Sequence, residues 1–533
     1  MSEAREFKHI GQRTIRPDGF DKVTGKANYG ADLSLPGMIW GAILRSPHAH
    51  ANITKLDVSR AEANPDVLAI ATFEDFPSVN AAAQRDGTQR DGMMDTACNI
   101  LANQKVLYHG HAVAAIAARS EAAAIAALDL IDIEYEVLRP VLSIDDAISA
   151  QAPILHETMM TQGLAEPATK ASNISARMEL KKGDIEAGFA AADVIVERAY
   201  DTPTVHQGYI EPHATTVVFN DNGPSMIWCP TQGHFDVRAR VAQLLNLELG
   251  QIKVVASEIG GGFGGKTTVY LEPVALILSK KSGRPVKMEM SRGDVFRASG
   301  PASASQSKIK VGAKMDGTIT AMQATLHYEA GAFQGSPMGP GCMTVFTPYD
   351  VENLYVEGFD VVVNKPKVAA YRAPGAPQSE FAAEMAVNEL AKKIGMDPIE
   401  FRLKNAAKEG TQTIYGPKLK VVGLEACLEA AKSSPHYTAP IPENVGRGLA
   451  AGFWFNIGGQ SSVIINLNPD GTGTIIEGSP DIGGSRASMQ MMAAEILGVA
   501  PSSLNPIVAD TEHVAYNQTT GGSRTTFATG MAV

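Results

Sequence analysis

The sequence predicts an α+β chain with more than one domain, and three observations lead there. The chain has 533 residues, too many for one ordinary hydrophobic core. Half-buried strand patterns such as Ile131-Asp132-Ile133-Glu134-Tyr135-Glu136-Val137 mix with helical patterns, and no regular strand–helix alternation appears. A glycine cluster, Gly260-Gly261-Gly262-Phe263-Gly264-Gly265-Lys266-Thr267, lies between an apolar β-branched run (Ile252 to Ala256) and an apolar stretch (Val269 to Leu278). Glycines there let backbone N–H groups approach a ligand with no Cβ in the way.

Composition excludes several classes. The net charge of −11 argues against a nucleic-acid surface, which carries a basic stripe. No apolar run reaches the length of a membrane span, and the polar start Met1 to Glu6 is not a signal peptide. The cysteines Cys98, Cys229, Cys342 and Cys427 form no CxxC spacing, so no iron–sulfur cluster or zinc ribbon is built locally. They read as reduced thiols of a cytoplasmic protein.

In order, residues 1–20 read as an N-terminal arm and 21–148 as a compact α+β domain. That domain has strands at Met38 to Leu44, Val67 to Thr72 and Val113 to Ala118, and an Ala-rich helix capped by Ser120. Residues 77–96 read as a long polar loop, and 149–178 as a linker. Residues 179–410 form a second domain. Strands around Asn220-Asp221-Asn222-Gly223 precede Pro230-Thr231-Gln232-Gly233. A helix follows with Val237, Val241, Leu244 and Leu245 on its apolar face and Asp236 and Arg240 paired at i,i+4. After Tyr371-Arg372-Ala373-Pro374-Gly375 comes a helix, Ser379 to Ile394, and Asp397-Pro398 starts another. Residues 411–533 form a third region. Its hairpin, Ser462 to Leu467 with Gly473 to Glu477, leads through a glycine turn to the helix Ala487 to Leu497. It ends on Gly521-Gly522-Ser523-Arg524-Thr525-Thr526 and a small-residue helix start.

The glycine cluster satisfies two motifs at once. Gly260, Gly262 and Gly265 match the dinucleotide fingerprint, and Gly260, Gly265, Lys266 and Thr267 match the nucleotide P-loop. Neither context fits. The preceding chain is strand-heavy rather than alternating, and Pro273 falls where a P-loop wants an unbroken helix. The other turns share one style, a small-residue loop entering a helix. They are Pro230-Thr231-Gln232, Tyr371 to Gly375, Gly483-Gly484-Ser485 and Gly522 to Thr526. Free N–H groups at such helix starts suit a large anionic cofactor bearing phosphates.

These segments, in this order and spacing, resemble the molybdenum-binding large subunit of the xanthine dehydrogenase/aldehyde oxidase family. Gly25-Lys26-Ala27-Asn28-Tyr29-Gly30 and Arg45-Ser46-Pro47-His48-Ala49-His50 look like its N-terminal α/β-hammerhead domain, followed by two molybdopterin-binding domains. The resemblance implies roles residue by residue. Gln232 would hydrogen-bond an oxygen ligand of molybdenum. The backbone at Gly262, Phe263, Gly264 and Gly265 would approach the metal's ligands, with Arg372 and Ala373 beside it. Gly483, Gly484, Ser485, Gly522, Ser523, Arg524, Thr525 and Thr526 would cradle the pterin and its phosphates. Gln232, Phe263 and Arg372 are the residues assigned to catalysis. No protein side chain would ligate the metal, which the pterin dithiolene holds.

The family's usual reaction is hydroxylation with water as the oxygen source. It implies a molybdenum–molybdopterin cofactor, in the cytosine dinucleotide form. It also implies 2Fe-2S clusters and FAD on partner subunits, an iron–sulfur small subunit and an FAD-binding medium subunit. Four departures accompany the resemblance. The family's catalytic Glu lies in a C-terminal Gly-x-Gly-Glu segment that these residues lack, so the chain is expected to be a fragment, or a naturally split large subunit whose second fragment carries that Glu. The Glu that follows the loop Lys in purine enzymes is Thr267 here. No Arg stands near Gly339 to Met343, where purine enzymes orient substrate. The Gly-Gln-Gly pterin turn reads Gly483-Gly484-Ser485.

The expected function is therefore oxidation of an aldehyde or N-heterocyclic, non-purine carbon. The rivals are a reductase or hydratase on the same site, a P-loop nucleotide-binding protein, and a non-catalytic cofactor-binding or assembly subunit. Blander readings cover the remaining signals. His109-Gly110-His111 reads as surface or edge packing, and Met489-Gln490-Met491-Met492 as core filling. His206, Glu211 and His213 lie near a strand as candidates to line the substrate side, against the reading of the histidines as satisfied and partly buried.

Overall fold

The computed structural model describes residues 6–77 and 87–533. Its centre is a seven-stranded sheet, in the order Ile252–Ala256, Ser225–Cys229, Ala214–Val218, Val286–Glu289, Ile39–Arg45, Ala112–Ala118, Val67–Ala71. The first domain is thus not closed on itself. Its strand Ile39–Arg45 pairs in parallel with Val286–Glu289, Ile39 opposite Val286, so one sheet runs through both regions. The helices His234–Leu245, Glu272–Ser282 and Gly87–Ile100 contribute to the core beneath it, where Val217, Ile227, Val254, Val274 and Leu278 are fully buried.

A second, five-stranded sheet runs Ile174–Lys182, Asn353–Val362, Ile319–Gly331, Ser305–Ala313, Val194–Thr202. The helix Ala376–Ile394 packs on it through Ala382, Ala386, Val387 and Leu390. A small three-stranded sheet, Val463–Leu467, Gly473–Glu477 and Leu504–Val508, carries the helix Ser485–Leu497. Mixed sheets with helices on their faces make the chain α+β, as the pattern predicts.

Local signals hold where the chemistry is local. Ser120 accepts from Ala123 N at 3.2 Å, and Asp397 accepts from Ile399 N at 2.8 Å. Both are N-cap bonds that satisfy donors a helix start leaves open. Val217 stands opposite Ile227 across the expected hairpin.

Five expectations are corrected. The polar stretch expected as a loop holds the helix Gly87–Ile100 over its described part, while residues 78–86 lie outside the described residues. Met93, Ala97 and Leu101, four apart, turn one face to the core, a spacing masked by polar neighbours. The linker is shorter and pinned. The strand Ile174–Lys182 begins inside it, and the Asn173 amide binds Leu155 N at 3.0 Å and Pro153 O at 2.9 Å. Pro273 does not break a helix but starts one, Glu272–Ser282, in a first-turn position that needs no N–H. Asp236 accepts the Thr519 hydroxyl, and no ion pair joins it to Arg240 among the described residues. His111 packs in the interior rather than at a surface. It stacks on Tyr108 at 4.4 Å and places Nε2 2.6 Å from Cys98 O, and burial pushes its pKa down to about 4.

Candidate functional site

The site lies past the carboxyl ends of two adjacent parallel strands, Ser225–Cys229 and Ile252–Ala256, the place where open α/β sheets bind ligands. The first strand delivers Pro230-Thr231-Gln232, the second the glycine loop. The buried Gln232 amide joins them. Its Oε1 accepts from Gly264 N at 2.9 Å and Lys266 N at 3.3 Å, and its Nε2 donates to Thr520 O at 2.8 Å. Its backbone adds Gln232 N to Lys266 O at 2.9 Å and Thr520 N to Gln232 O at 2.8 Å. One side chain thus fixes the glycine loop against the C-terminal segment.

The loop's glycines are required by what surrounds them. A Cβ on Gly262 would lie 2.5 Å from Gln232 Oε1, and one on Gly265 2.7 Å from the Tyr209 ring. Gly264 has φ +106°, and a Cβ there would meet Ala370 O at 2.5 Å. Between them Phe263 holds φ +53° and remains 45% exposed. Its carbonyl accepts from Arg372 N at 2.9 Å, and Arg372 and Ala373 are themselves at φ +25° and +60°. Non-glycine residues rarely adopt these angles, which cost roughly 1–3 kcal/mol each and persist where surrounding contacts enforce them, as at ligand sites. The structure therefore brings Gln232, Gly262, Phe263, Gly264, Gly265, Arg372 and Ala373 together.

Lys266 turns away from this surface. It is 1% exposed, its ammonium lies 2.7 Å from Glu211 Oε2, and it sits over the Tyr209 ring at 5.1 Å. Burial pulls its pKa down while the Glu211 charge opposes the shift. Glu211 also accepts from Gly260 N at 2.7 Å and Gly30 N at 3.0 Å. A P-loop lysine must reach phosphates, and this one is spent inside. Thr267 donates to Gly264 O at 2.8 Å. The histidines nearby are satisfied. His213 Nε2 meets Tyr209 OH at 2.8 Å, Tyr209 OH meets Ser299 Oγ at 3.0 Å, and Ser299 Oγ meets His206 Nε2 at 2.9 Å.

The pterin-side turns depart from expectation. The N–H groups of Gly483, Gly484 and Ser485 are not free. Asp481 Oδ1 accepts all three, at 3.1, 2.6 and 3.0 Å, and its Oδ2 accepts Arg486 N at 3.2 Å. A carboxylate from the chain fills the nest a phosphate was expected to take. Arg524 is also committed. It is 1% exposed and donates to the carbonyls of Gly458, Gln518 and Gln460, each at 2.7 Å. Thr525 is buried, with its hydroxyl 3.4 Å from that of Thr520. Gly522, at φ +63°, faces Ile457, and Ser523, at φ +60°, and Thr526 stay exposed. The buried Ser485 Oγ has no hydrogen-bond partner among the described residues.

The residues fit a bound metal–pterin group in part. Strained backbone, the Gln232 amide and the orphan Ser485 hydroxyl suit its metal end and pterin, whereas Arg524 and the turn at 483–485 are already occupied by the chain. Among the described residues no group of three His, Cys, Asp or Glu side chains is placed to hold a metal ion. Sequence reasoning missed three features: Glu211 as a loop anchor, Asp481, and residues 457–461 wrapped around Arg524. An Asp just before a glycine turn tends to bond the backbone N–H groups that follow it, so Asp481 was readable. The other two depend on contacts far apart in the chain.

Three family models match the chain. "Aldehyde oxidase and xanthine dehydrogenase, a/b hammerhead domain" covers residues 24–139, and "Molybdopterin cofactor-binding domain" covers 166–406 and again 426–533. The chain is 30% identical to the xanthine dehydrogenase molybdenum-binding subunit of Escherichia coli O157:H7, over 97% of this chain and 70% of that one. It is 32% identical to the nicotinate dehydrogenase large molybdopterin subunit of Eubacterium barkeri, over 80% of this chain and 96% of that one. Among solved structures, the aldehyde oxidoreductase of Desulfovibrio gigas superposes with a TM-score of 0.84 at 27% identity, over 99% of this chain and 60% of that one. Longer relatives thus carry sequence that this chain does not span.

Proposed function

The chain belongs to the xanthine dehydrogenase/aldehyde oxidase family as a molybdenum-cofactor-binding large subunit, and on that premise we propose that it oxidises an aldehyde or a non-purine N-heterocycle with water as oxygen donor. The observation that carries this reading is the Gln232 amide locked between the strained Phe263–Gly264 backbone and Thr520. When bound, the molybdenum–pterin group supplies two-electron redox chemistry. The chain's part is to hold and orient. One N–H of Gln232 Nε2 is used by Thr520 O, and its second is assigned to an oxygen ligand of the metal. Gly262 and Gly264 keep the approach clear of side chains. The exposed Arg372 guanidinium places positive charge beside an anionic cofactor. Ser485, Ser523 and Thr526 hydroxyls are assigned to the pterin and its cytosine dinucleotide, in place of Arg524 and the 483–485 N–H groups.

Thr267 in the position next to the loop Lys, with no Arg near Gly339 to Met343, supports a non-purine substrate. An iron–sulfur and an FAD-binding subunit are proposed to take the electrons, in the cytoplasm. No helix among the described residues is long and apolar enough to cross a membrane.

Metal analysis and acid release of nucleotide from the purified protein test the reading. One molybdenum and one cytidine nucleotide per chain is the expected result. ATP binding that disappears in Lys266→Ala, with no molybdenum present, overturns it.

A further inference from the structure

We propose that the cavity behind the glycine loop selects anionic substrates, taking a planar ring that carries a carboxylate, with Lys367 as the residue that recognises the charge. This deepens the functional reading above and rests on it. The cavity has a volume of about 320 Å³ and is walled by Thr267, Tyr270, Phe333, Gln334, Lys367 and Ala370. That size is at the small end of ligand sites, roughly 300–1,000 Å³, and suits a single ring.

Its wall is continuous with the strained loop through Thr267 and Ala370. Thr267 Oγ1 donates to Gly264 O at 2.8 Å, and Gly264 lies so close to Ala370 that a Cβ would meet the Ala370 carbonyl at 2.5 Å. Ala370 leads through Tyr371 to Arg372, whose N–H holds Phe263 O at 2.9 Å. A molecule in this cavity therefore touches the backbone that presents Phe263. The rings of Phe333 and Tyr270 provide buried flat surface of the kind aromatic ligands stack against.

The charge inside is unbalanced at one place. Lys367 Nζ donates to Gly335 O at 2.6 Å and more weakly to Val368 O at 3.5 Å, and it forms no ion pair among the described residues. An ammonium has three N–H groups, so one remains open. Asp360, the nearby carboxylate, is committed elsewhere, accepting from Gly335 N and Ser336 N at 2.8 Å each and from Ser175. Asp95 also lines the cavity and accepts from Gln334 Nε2 at 3.3 Å, while Arg240 adds a second cation. Burial pushes the Lys367 ammonium down to about 8. A carboxylate arriving at Nζ would offset that desolvation with a charge-assisted bond. A neutral ring of the same shape would not.

Calorimetric titration of the 533-residue chain with benzoate and with its neutral isostere benzamide tests the inference. Benzoate is expected to bind at least tenfold tighter. Lys367→Met should remove that preference and leave benzamide binding as it is, and Lys367→Arg should restore it and serve as the folding control. Equal binding of acid and amide, binding of neither, or a preference that survives Lys367→Met overturns the inference. Molybdenum content separates the two readings. Metal without carboxylate preference leaves the cofactor reading standing and this one fallen, and preference without metal does the reverse.

Discussion

Two glycine turns feed two helices in this molecule, and they end up in opposite states. At Gly260 to Lys266 the chain holds a strained backbone open, with Phe263 at φ +53° and half exposed, braced from behind by Gln232 and Glu211. At Gly483 to Arg486 the N–H groups converge on Asp481, and the turn is satisfied from within. Sequence alone gives both the same style. What separates them is which side chain closes on the backbone. In the first the anchoring side chains bond the loop and leave Phe263 exposed, and in the second the anchor takes up the N–H groups themselves. A glycine turn at a helix start is thus an anion site only when no carboxylate of the chain reaches it first.

The comparison can be broken at five points, from the largest effect down. Glu211→Gln leaves Lys266 buried without its partner and is expected to cost about 3–5 kcal/mol and abolish molybdenum incorporation. Denaturant unfolding measures the first, metal analysis the second, and a Glu211→Leu/Lys266→Met double variant should recover part of the stability. Gly264→Ala forces a side chain into φ +106° against the Ala370 carbonyl. A loss of about 3 kcal/mol is expected in the same unfolding experiment.

Third comes pH. Glu477, just before the second turn, is fully buried, and neither oxygen has a hydrogen-bond partner among the described residues. Burial raises its pKa from 4.5 to about 8, with Asp481 adding to the shift. A carboxyl whose folded pKa is raised contributes stability that is complete below its unfolded pKa and lost as pH rises through the folded one. Glu477→Gln should therefore raise the melting temperature most at pH 8 and above and not at all near pH 4. A gain that is flat with pH would refute this account of Glu477.

Asp481→Ala uncovers the N–H groups of residues 483–486. It should cost about 1–2 kcal/mol, as for other lost caps. It should also let sulfate stabilise the variant in thermal melts, which the native protein should not show. The smallest effect belongs to Gly483→Ala. A Cβ there meets nothing within 4 Å, so a change within about 0.5 kcal/mol is expected. A large loss would mean that the two turns are more alike than their contacts suggest.

Much of this was legible because it is local. The Ser120 and Asp397 caps, the hairpin at Asn220 to Gly223, and the glycine loop between strand and helix depend on residues a few positions apart. The grouping of Gln232, Phe263 and Arg372 was expected only through the family resemblance of the segments that carry them. Pro273 points the wrong way when taken as a breaker, since a proline that disrupts a helix interior is favoured in its first turn. The helix Gly87–Ile100 was hidden because polar residues are interleaved with Met93, Ala97 and Leu101.

By itself the sequence determined the α+β class and most strands and helices, because backbone preferences and apolar spacing act over short range. Only the tertiary structure decided that Lys266 turns inward to Glu211, that Arg524 is spent on three carbonyls, and that one sheet joins Ile39 to Val286. Each outcome is a competition for one charge, donor or strand edge among partners that lie far apart in the chain. Composition and spacing name the competitors, and only packing selects among them.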